Sequence, residues 1–225
     1  MFRPHVIAID GPAGSGKTTL AHRLAKALGY FYLDTGEMYR AATWAAMNYR
    51  VDVEDEKAVT ALAHRVDIDV RAPSVQDGRV NDVWVDERDV TREIRLPEVE
   101  ANVSVVSAYP GVRQAMTLKQ RQIGQRGRVV MAGRDIGTVV FPGAELKIYL
   151  DASVEERARR RFMENQASGE SLSYEEILAA MRRRDAIDST RKVAPLVPAA
   201  DAVRINSDAL SSDEVFALVL GLLDR

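Results

Sequence analysis

The 225-residue chain contains no cysteine, which excludes disulfide bonds, thiolate nucleophiles and cysteine-ligated metal sites. It also lacks a long apolar run. The first ten residues, MFRPHVIAID, do not form the apolar stretch of a signal peptide, and residues 215–223 are too few to cross a bilayer. We therefore expect a cytoplasmic protein with no membrane partner.

Neither sign of charge dominates the sequence. The 31 basic and 33 acidic side chains leave a formal net charge of −2, which is unlike the basic footprint of a nucleic-acid-binding domain. Only six of the basic residues are lysine, so 25 (31 − 6) are arginine, whose planar guanidinium binds two phosphate or carboxylate oxygens at once. The composition predicts no nucleic-acid partner and makes several arginines candidate ligands of small anions.

Short β-branched runs alternate with stretches of helical periodicity. Residues 5–10 are typical of a strand that stops at glycines, and Lys17–Leu28 follows with apolar residues at helical spacing. Similar strand-like runs occupy residues 129–132, 146–150 and 202–206. The alternation predicts an α/β fold with a parallel sheet flanked by helices, in one compact unit that carries an inserted lobe.

Three segments interrupt this alternation. Residues 66–91 hold short strand-like runs separated by turn signals, which predict a small inserted β lobe, and residues 97–125 have helical spacing broken at Pro110. The polar segment 165–173 follows a predicted helix over 153–164, and we interpret it as the tip of a mobile lid. The predicted division is a core of residues 1–33 and 111–225, an inserted lobe of residues 34–110, and a lid near 155–190.

Residues 11–18 spell GPAGSGKT, which matches the phosphate-loop pattern G-x-x-x-x-G-K-[ST] between a strand and a helix. Glycines let backbone N–H groups turn toward a phosphate, and the following helix points its positive dipole end at the same anion. Lys17 is predicted to reach the β- and γ-phosphates of ATP, the Thr18 hydroxyl to hold Mg²⁺, and Asp10 to accept hydrogen bonds from the loop. The predicted ATP-binding residues are Gly11, Pro12, Ala13, Gly14, Ser15, Gly16, Lys17, Thr18 and Thr19.

The phosphate loop alone does not distinguish a kinase from other nucleotide-binding proteins. A regulatory GTPase would need a D-x-x-G on the Mg²⁺ side and a guanine-reading N-K-x-D, and the sequence contains neither. A kinase for another small metabolite would share the loop and differ in the acceptor pocket. The remaining motifs must decide between acceptors.

Three further clusters are LDTGEMYR at 33–40, AGRDIGTVVFP at 132–142 and RRRDAIDSTRKVAPLVPA at 182–199. Together with GPAGSGKTT, they closely resemble the bacterial cytidylate kinases, and the resemblance covers essentially the whole chain. It implies a P-loop NTPase core, an inserted α+β lobe that binds a nucleoside monophosphate, and a short helical lid. The implied reaction is transfer of a phosphoryl group from ATP to CMP, and to dCMP, by a monomer.

The resemblance assigns roles to individual residues. It implies that three arginines grip the acceptor phosphate and the transferring group and act with Lys17 in catalysis: Arg40, Arg134 and Arg191. Three residues match positions that read cytosine: Ser104, Arg113 and Asp135. Three more match positions near the sugar and the base: Thr35, Arg184 and Asp188.

The chemistry of cytosine agrees with two of these assignments. A carboxylate such as Asp135 accepts from the exocyclic amino group, and a guanidinium such as Arg113 donates to the ring acceptors. Asp135 has a structural alternative, as an ion-pair partner of Arg134 or as a turn-forming residue.

Other residues are expected to have ordinary roles. Glu37 stands where the family pattern suggests a small residue, and we expect its carboxylate to point away from the acceptor phosphate. The arginines of residues 157–161 are more typical of a solvated helix face. His5, His22 and His64 lack metal-like spacing.

Overall fold

The computed structural model describes residues 2–169 and 171–224. Its strands are β1 (Val6–Asp10), β2 (Phe31–Asp34), β3 (Ile68–Arg71), β4 (Asp82–Val85), β5 (Arg88–Asp89), β6 (Val129–Gly133), β7 (Leu146–Asp151) and β8 (Val203–Asn206). Its α-helices are α1 (Lys17–Leu28), α2 (Thr35–Asn48), α3 (Glu56–Arg65), α4 (Pro97–Val106), α5 (Pro110–Gly124), α6 (Val154–Ser168), α7 (Tyr174–Thr190) and α8 (Ser212–Leu223). A 3-10 turn spans Glu93–Arg95 and a π-helical turn spans Ile136–Val140.

Five strands form one parallel sheet in the order β2-β6-β1-β7-β8. Side chains alternate across the central strand: Val6 and Ala8 belong to one hydrophobic cluster, whereas Ile7 and Ile9 belong to the other. Both isoleucines are fully buried, and burying a side chain of this size stabilises the fold by roughly 1.5–3 kcal/mol. The predicted α/β fold with a parallel sheet between helices is confirmed.

The second sheet is antiparallel, with the order β3-β4-β5. Its buried valines pack in the same hydrophobic cluster as residues of α2, α3, α4 and α5 and one face of the parallel sheet. The turn signals of residues 66–91 therefore predicted these short strands correctly. The proposed division of the chain near residues 34 and 110 stays a prediction.

The lid segment differs from its prediction in one respect. Helix α6 continues through residues 165–168, so these residues are helical, and Asn165 is buried. The helix ends where Gly169 adopts a left-handed conformation with φ of 80°. Helix α7 begins with a capping box in which Ser173 and Glu176 satisfy each other's backbone N–H groups. The predicted lid tip is therefore shorter than residues 165–173, and its residue 170 lies outside the described residues.

The topology of the parallel sheet is enough to locate the site. The parallel strands all end at one edge of the sheet, where β1 leads into the glycine loop, β2 into α2, and β6 into Arg134 and Asp135. Ligands of open α/β sheets bind at this edge. Within residues 2–169 and 171–224, no helix has the length and apolar character needed to span a membrane.

Candidate active site

The phosphate loop has the backbone of an anion cradle. Gly11 has φ of 155°, and a Cβ there would collide with the carbonyl of Leu150, so only glycine fits between β1 and β7. Gly16 is left-handed, with φ of 88°, and stands at the N-cap of α1. The N–H groups of the first turn of α1 therefore face the loop, as a bound phosphate requires.

Lys17 is buried, and its Nζ donates to the carbonyl of Pro12 at 2.9 Å. Burial, together with the positive charge of Arg134, lowers the pKa of Lys17 well below its ordinary value. Ser15 presents a buried hydroxyl that has no hydrogen-bond partner within the described part of the chain. A positively charged side chain and a buried hydroxyl without a partner together indicate an anion-binding site, because a bound anion would satisfy both groups.

Thr18 lies one residue further along α1 and is exposed. Its hydroxyl is 3.5 Å from a carboxylate oxygen of Asp34, the residue that caps α2 by accepting from the N–H of Gly36. A hydroxyl and a carboxylate are oxygen donors of the kind that Mg²⁺ prefers. Residues 2–169 and 171–224 contain no group of three or more His, Asp or Glu side chains that could hold a metal by themselves.

Several arginines that are distant in sequence converge beside the phosphate loop. In the structure they pair with three carboxylates: Arg134 and Arg191 with Asp188 at 2.9 and 3.2 Å, Arg113 with Asp135 at 2.7 Å, and Arg40 and Arg184 with Glu100 at 2.8 and 3.4 Å. The structure thus brings together the arginines that the sequence assigned to the acceptor. It adds Glu100, which the sequence analysis did not single out.

The carboxylates do not neutralise this cluster. Burial and the charge of Arg134 lower the pKa of Arg184, and burial and the charge of Arg113 lower the pKa of Arg191. Nη2 of Arg191 is buried without a hydrogen-bond partner in the residues described. Because like charges are held together at a cost, the arrangement is suited to a multiply charged anion.

Arg113 and Asp135 form the most deeply buried ion pair of this region, with side chains 3% and 5% exposed. Arg113 also donates to the carbonyl of Ser107, and its guanidinium lies 5.2 Å from the ring centroid of Tyr39. The alternative in which Asp135 pairs with Arg134 is wrong, since Arg134 binds Asp188. Asp135 instead stands at the start of the π-helical turn, facing Arg113.

Thr35 and Ser104 differ in their burial and in their hydrogen-bond partners. The Thr35 hydroxyl is buried and donates to the carbonyl of Ala132 at 2.9 Å, which ties α2 to β6. Ser104 is partly buried on α4, one turn before Ser107. The structure therefore gives Thr35 a bond to the protein backbone, whereas the carbonyl of Ser104 accepts from the hydroxyl of Ser107, the residue whose own carbonyl binds Arg113.

Asp10 does not accept from the phosphate loop, and that expectation was wrong. Its two carboxylate oxygens accept from the backbone N–H groups of Ile136 and Gly137, both at 2.8 Å. Burial raises the pKa of Asp10 to about 6 despite these bonds. Asp10 thus fixes the segment that carries Arg134 and Asp135, and its role is positional.

Arg157 is a site residue that the sequence analysis missed. It is buried, although the arginine run around it was predicted to be a solvated face. It donates to the loop carbonyl of Ala13 at 3.0 Å and to the carbonyl of Ala152, and it pairs with Asp185 of α7 at 2.6 Å. Within the run, no local signal separates Arg157 from its exposed neighbour Arg159, because only tertiary packing distinguishes them.

The Glu37 side chain is buried, and the sequence did not reveal its hydrogen-bond partners. Its carboxylate accepts from Asn81 at 3.1 Å and from Arg95 at 2.6 Å, so it binds two residues that border the second sheet. Burial, reinforced by the charge of Asp34, raises the pKa of Glu37 to about 6. The residue therefore joins α2 to the segment between β3 and α4.

A glycine loop between a parallel strand and a helix, beside a cluster of arginines at the carboxyl edge of the sheet, defines a nucleotide-binding P-loop kinase. The cytidylate kinase family profile matches residues 7–225. A cytidylate kinase of Herpetosiphon aurantiacus is 50% identical over 99% of this chain and 96% of its own length. One of Roseiflexus castenholzii is 52% identical over 100% of this chain and 96% of its own. The chain belongs to the cytidylate kinase family.

Solved structures support the fold independently. A crystal structure of a protein from Eubacterium ventriosum superposes with a TM-score of 0.52 at 10% identity, covering 98% of both chains. At this identity the likeness shows the fold alone.

Proposed function

We propose that this protein transfers the γ-phosphoryl group of ATP to CMP, and also to dCMP, producing the corresponding diphosphate. The observation that carries the proposal is the adjacency of the phosphate loop and Arg134, because Gly133 of β6 pairs with Asp10 of β1 and Arg134 therefore begins beside the loop. Burial and, after it, the positive charge of Arg134 lower the pKa of Lys17. We therefore expect the donor's phosphate loop and the acceptor's arginines to act as one cationic site. Membership of the cytidylate kinase family supports the same conclusion.

The reaction asks the protein for positioning and charge neutralisation and needs no covalent intermediate. The loop N–H groups and Lys17 would bind the β- and γ-phosphates of ATP. Arg40, Arg134 and Arg191 would bind the acceptor phosphate and the transferring group. Each of these arginines has a carboxylate partner in the structure, so binding would replace carboxylates by phosphate oxygens without assembling new elements.

A bound Mg²⁺ would be held by the Thr18 hydroxyl, with Asp34 as the nearby carboxylate, and would neutralise charge on the phosphates. The exposure of Thr18 at the mouth of the loop is compatible with this role.

The pyrimidine would be read by Asp135, Arg113 and Ser104, with Thr35, Arg184 and Asp188 near the sugar and the base. Asp135 accepts from the amino group of cytosine and repels the carbonyl oxygen that uracil presents at the same position. The ion pair with Arg113 fixes the orientation of the Asp135 side chain, so the discrimination would not depend on side-chain rotation.

Helices α6 and α7 would act as the lid. A Cβ on Gly14 would contact Met181 and Arg157, so both helices pack directly over the phosphate loop. Lid closure excludes water, which otherwise competes as phosphoryl acceptor. Action as a monomer in the cytoplasm remains part of the prediction.

The test is a coupled assay of ADP release with CMP, dCMP, UMP, AMP, GMP and a non-nucleotide acceptor. We expect CMP and dCMP to give the highest kcat/KM. Faster turnover of AMP or of the non-nucleotide acceptor would contradict the acceptor assignment, and the absence of acceptor-dependent turnover would contradict the kinase assignment.

A further inference from the structure

Glu100 of α4 connects parts of the molecule that are far apart in sequence. One carboxylate oxygen accepts from Nε of Arg40 on α2 at 2.8 Å, and the other accepts from Nη1 of Arg184 on α7 at 3.4 Å. A single side chain therefore joins the acceptor-phosphate arginine to a lid arginine.

The other two carboxylates of the cluster have a different character. Asp135 and Asp188 are almost fully buried, and each is paired with buried or partly buried arginines. The Glu100 side chain is 44% exposed, and its two partners are 23% and 32% exposed. Water can replace Glu100 as a partner at little cost, so this contact is the one that a ligand can break.

Charge favours the contact when no nucleotide is present. Burial opposes ionisation of Glu100, yet Arg40, Arg184 and Arg161 outweigh it and hold the pKa of the carboxyl below its ordinary value. Glu100 is therefore an anion placed among cations from α2, α6 and α7, as an acceptor phosphate would be.

We propose that Glu100 is an internal counter-ion that occupies Arg40 and Arg184 until the acceptor phosphate displaces it. The inference rests on the proposed function, which assigns Arg40 to that phosphate. A phosphate monoester dianion brings more charge and more oxygens than one carboxylate, so it binds the Arg40 guanidinium more strongly, and Arg184 loses Glu100 as a partner at the same time. While Glu100 holds them, it braces α7 against α4 and lowers the apparent affinity for the acceptor.

The test compares Glu100→Gln with Glu98→Gln, a matched loss of one negative charge at an exposed position of the same helix. The glutamine amide keeps the size of the side chain and removes the competing charge. We expect Glu100→Gln to lower the KM for CMP about threefold, with the KM for ATP unchanged. Glu98→Gln should leave both constants as in the wild type.

Hydrogen exchange of the nucleotide-free proteins gives a second readout that does not need turnover. We expect α7 near Arg184 to exchange faster in Glu100→Gln than in the wild type or in Glu98→Gln, and the difference to vanish with CMP bound.

The possible results distinguish failure of the Glu100 proposal from failure of the proposed function. A raised or unchanged KM for CMP in Glu100→Gln overturns the displacement, because a residue that merely orients Arg40 would give that result. Unchanged exchange in α7 without nucleotide overturns the bracing. A wild-type protein inactive toward CMP defeats the proposed function, while the exchange experiment still decides whether Glu100 braces α7.

Discussion

The donor end of the site and the acceptor end are built in different ways. The proposed donor end is one continuous segment, residues 11–19, in which backbone N–H groups and one lysine would surround the phosphates. The proposed acceptor end consists of arginines from α2, α5 and α7 and from the segments after β6 and α7, each paired with a carboxylate. A backbone cradle therefore depends on local geometry, whereas a side-chain cradle depends on how helices pack.

The largest effect is expected at the donor end. Lys17→Ala removes a charge that would stabilise the transition state, so kcat should fall about a hundredfold or more, which corresponds to about 3 kcal/mol. Steady-state kinetics with CMP measure this, and thermal melting should show a nearly intact fold. Lys26→Ala, at an exposed position of the same helix, is the control. Unchanged kcat in Lys17→Ala would contradict the phosphate-loop mechanism.

At the acceptor end, Asp135→Asn tests whether the base is read by a side chain. The amide can donate or accept, so the preference for CMP over UMP in kcat/KM should fall by roughly 1–3 kcal/mol, chiefly through CMP. The measurement is kcat/KM for both nucleotides in both proteins. An equal loss for CMP and UMP would mean that Asp135 holds Arg113 in place and does not read cytosine.

The junction between α2 and the second sheet should respond to pH through Glu37. A carboxyl whose pKa is raised on folding, here from 4.5 to about 6, binds protons more readily in the folded protein. Its contribution to stability is therefore lost as the pH rises through that window, by on the order of 1–2 kcal/mol. The neighbouring charges of Asp34, Arg40 and Arg95 act on the same group.

Glu37→Gln removes this titration. Urea unfolding at pH 4.5 and pH 7 should show that the variant gains stability relative to the wild type as the pH rises. Asp10 contributes equally to the pH dependence of the unfolding free energy in both proteins, so its contribution cancels in the difference between them. A stability difference that does not change with pH would contradict the assignment.

A smaller effect is expected where α6 contacts the phosphate loop. Arg157→Met removes the bond to the Ala13 carbonyl, so the KM for ATP should rise about fivefold, or about 1 kcal/mol, with a smaller change for CMP. Arg159→Met, on the exposed side of the same helix, should leave both constants unchanged. An equal rise in the KM values for ATP and CMP would mean that Arg157 stabilises the proposed lid and does not act at the donor end.

Features that depend on neighbouring residues could be predicted from the sequence alone. Alternation of strands and helices predicted the parallel sheet, turn signals predicted the strands of residues 66–91, and GPAGSGKT predicted the loop, because each pattern expresses local conformational preferences. The resemblance to cytidylate kinases predicted which arginines lie close together in the fold. No periodicity in the chain predicts this proximity.

The partners of charged side chains, in contrast, depend on the packing of the fold. Asp10 binds the N–H groups of residues 136 and 137, Arg157 is buried whereas Arg159 is exposed, and Glu100 joins α2 to α7. An ion pair forms between whichever groups the packing of the helices brings within a few ångströms, and a linear sequence does not contain those distances.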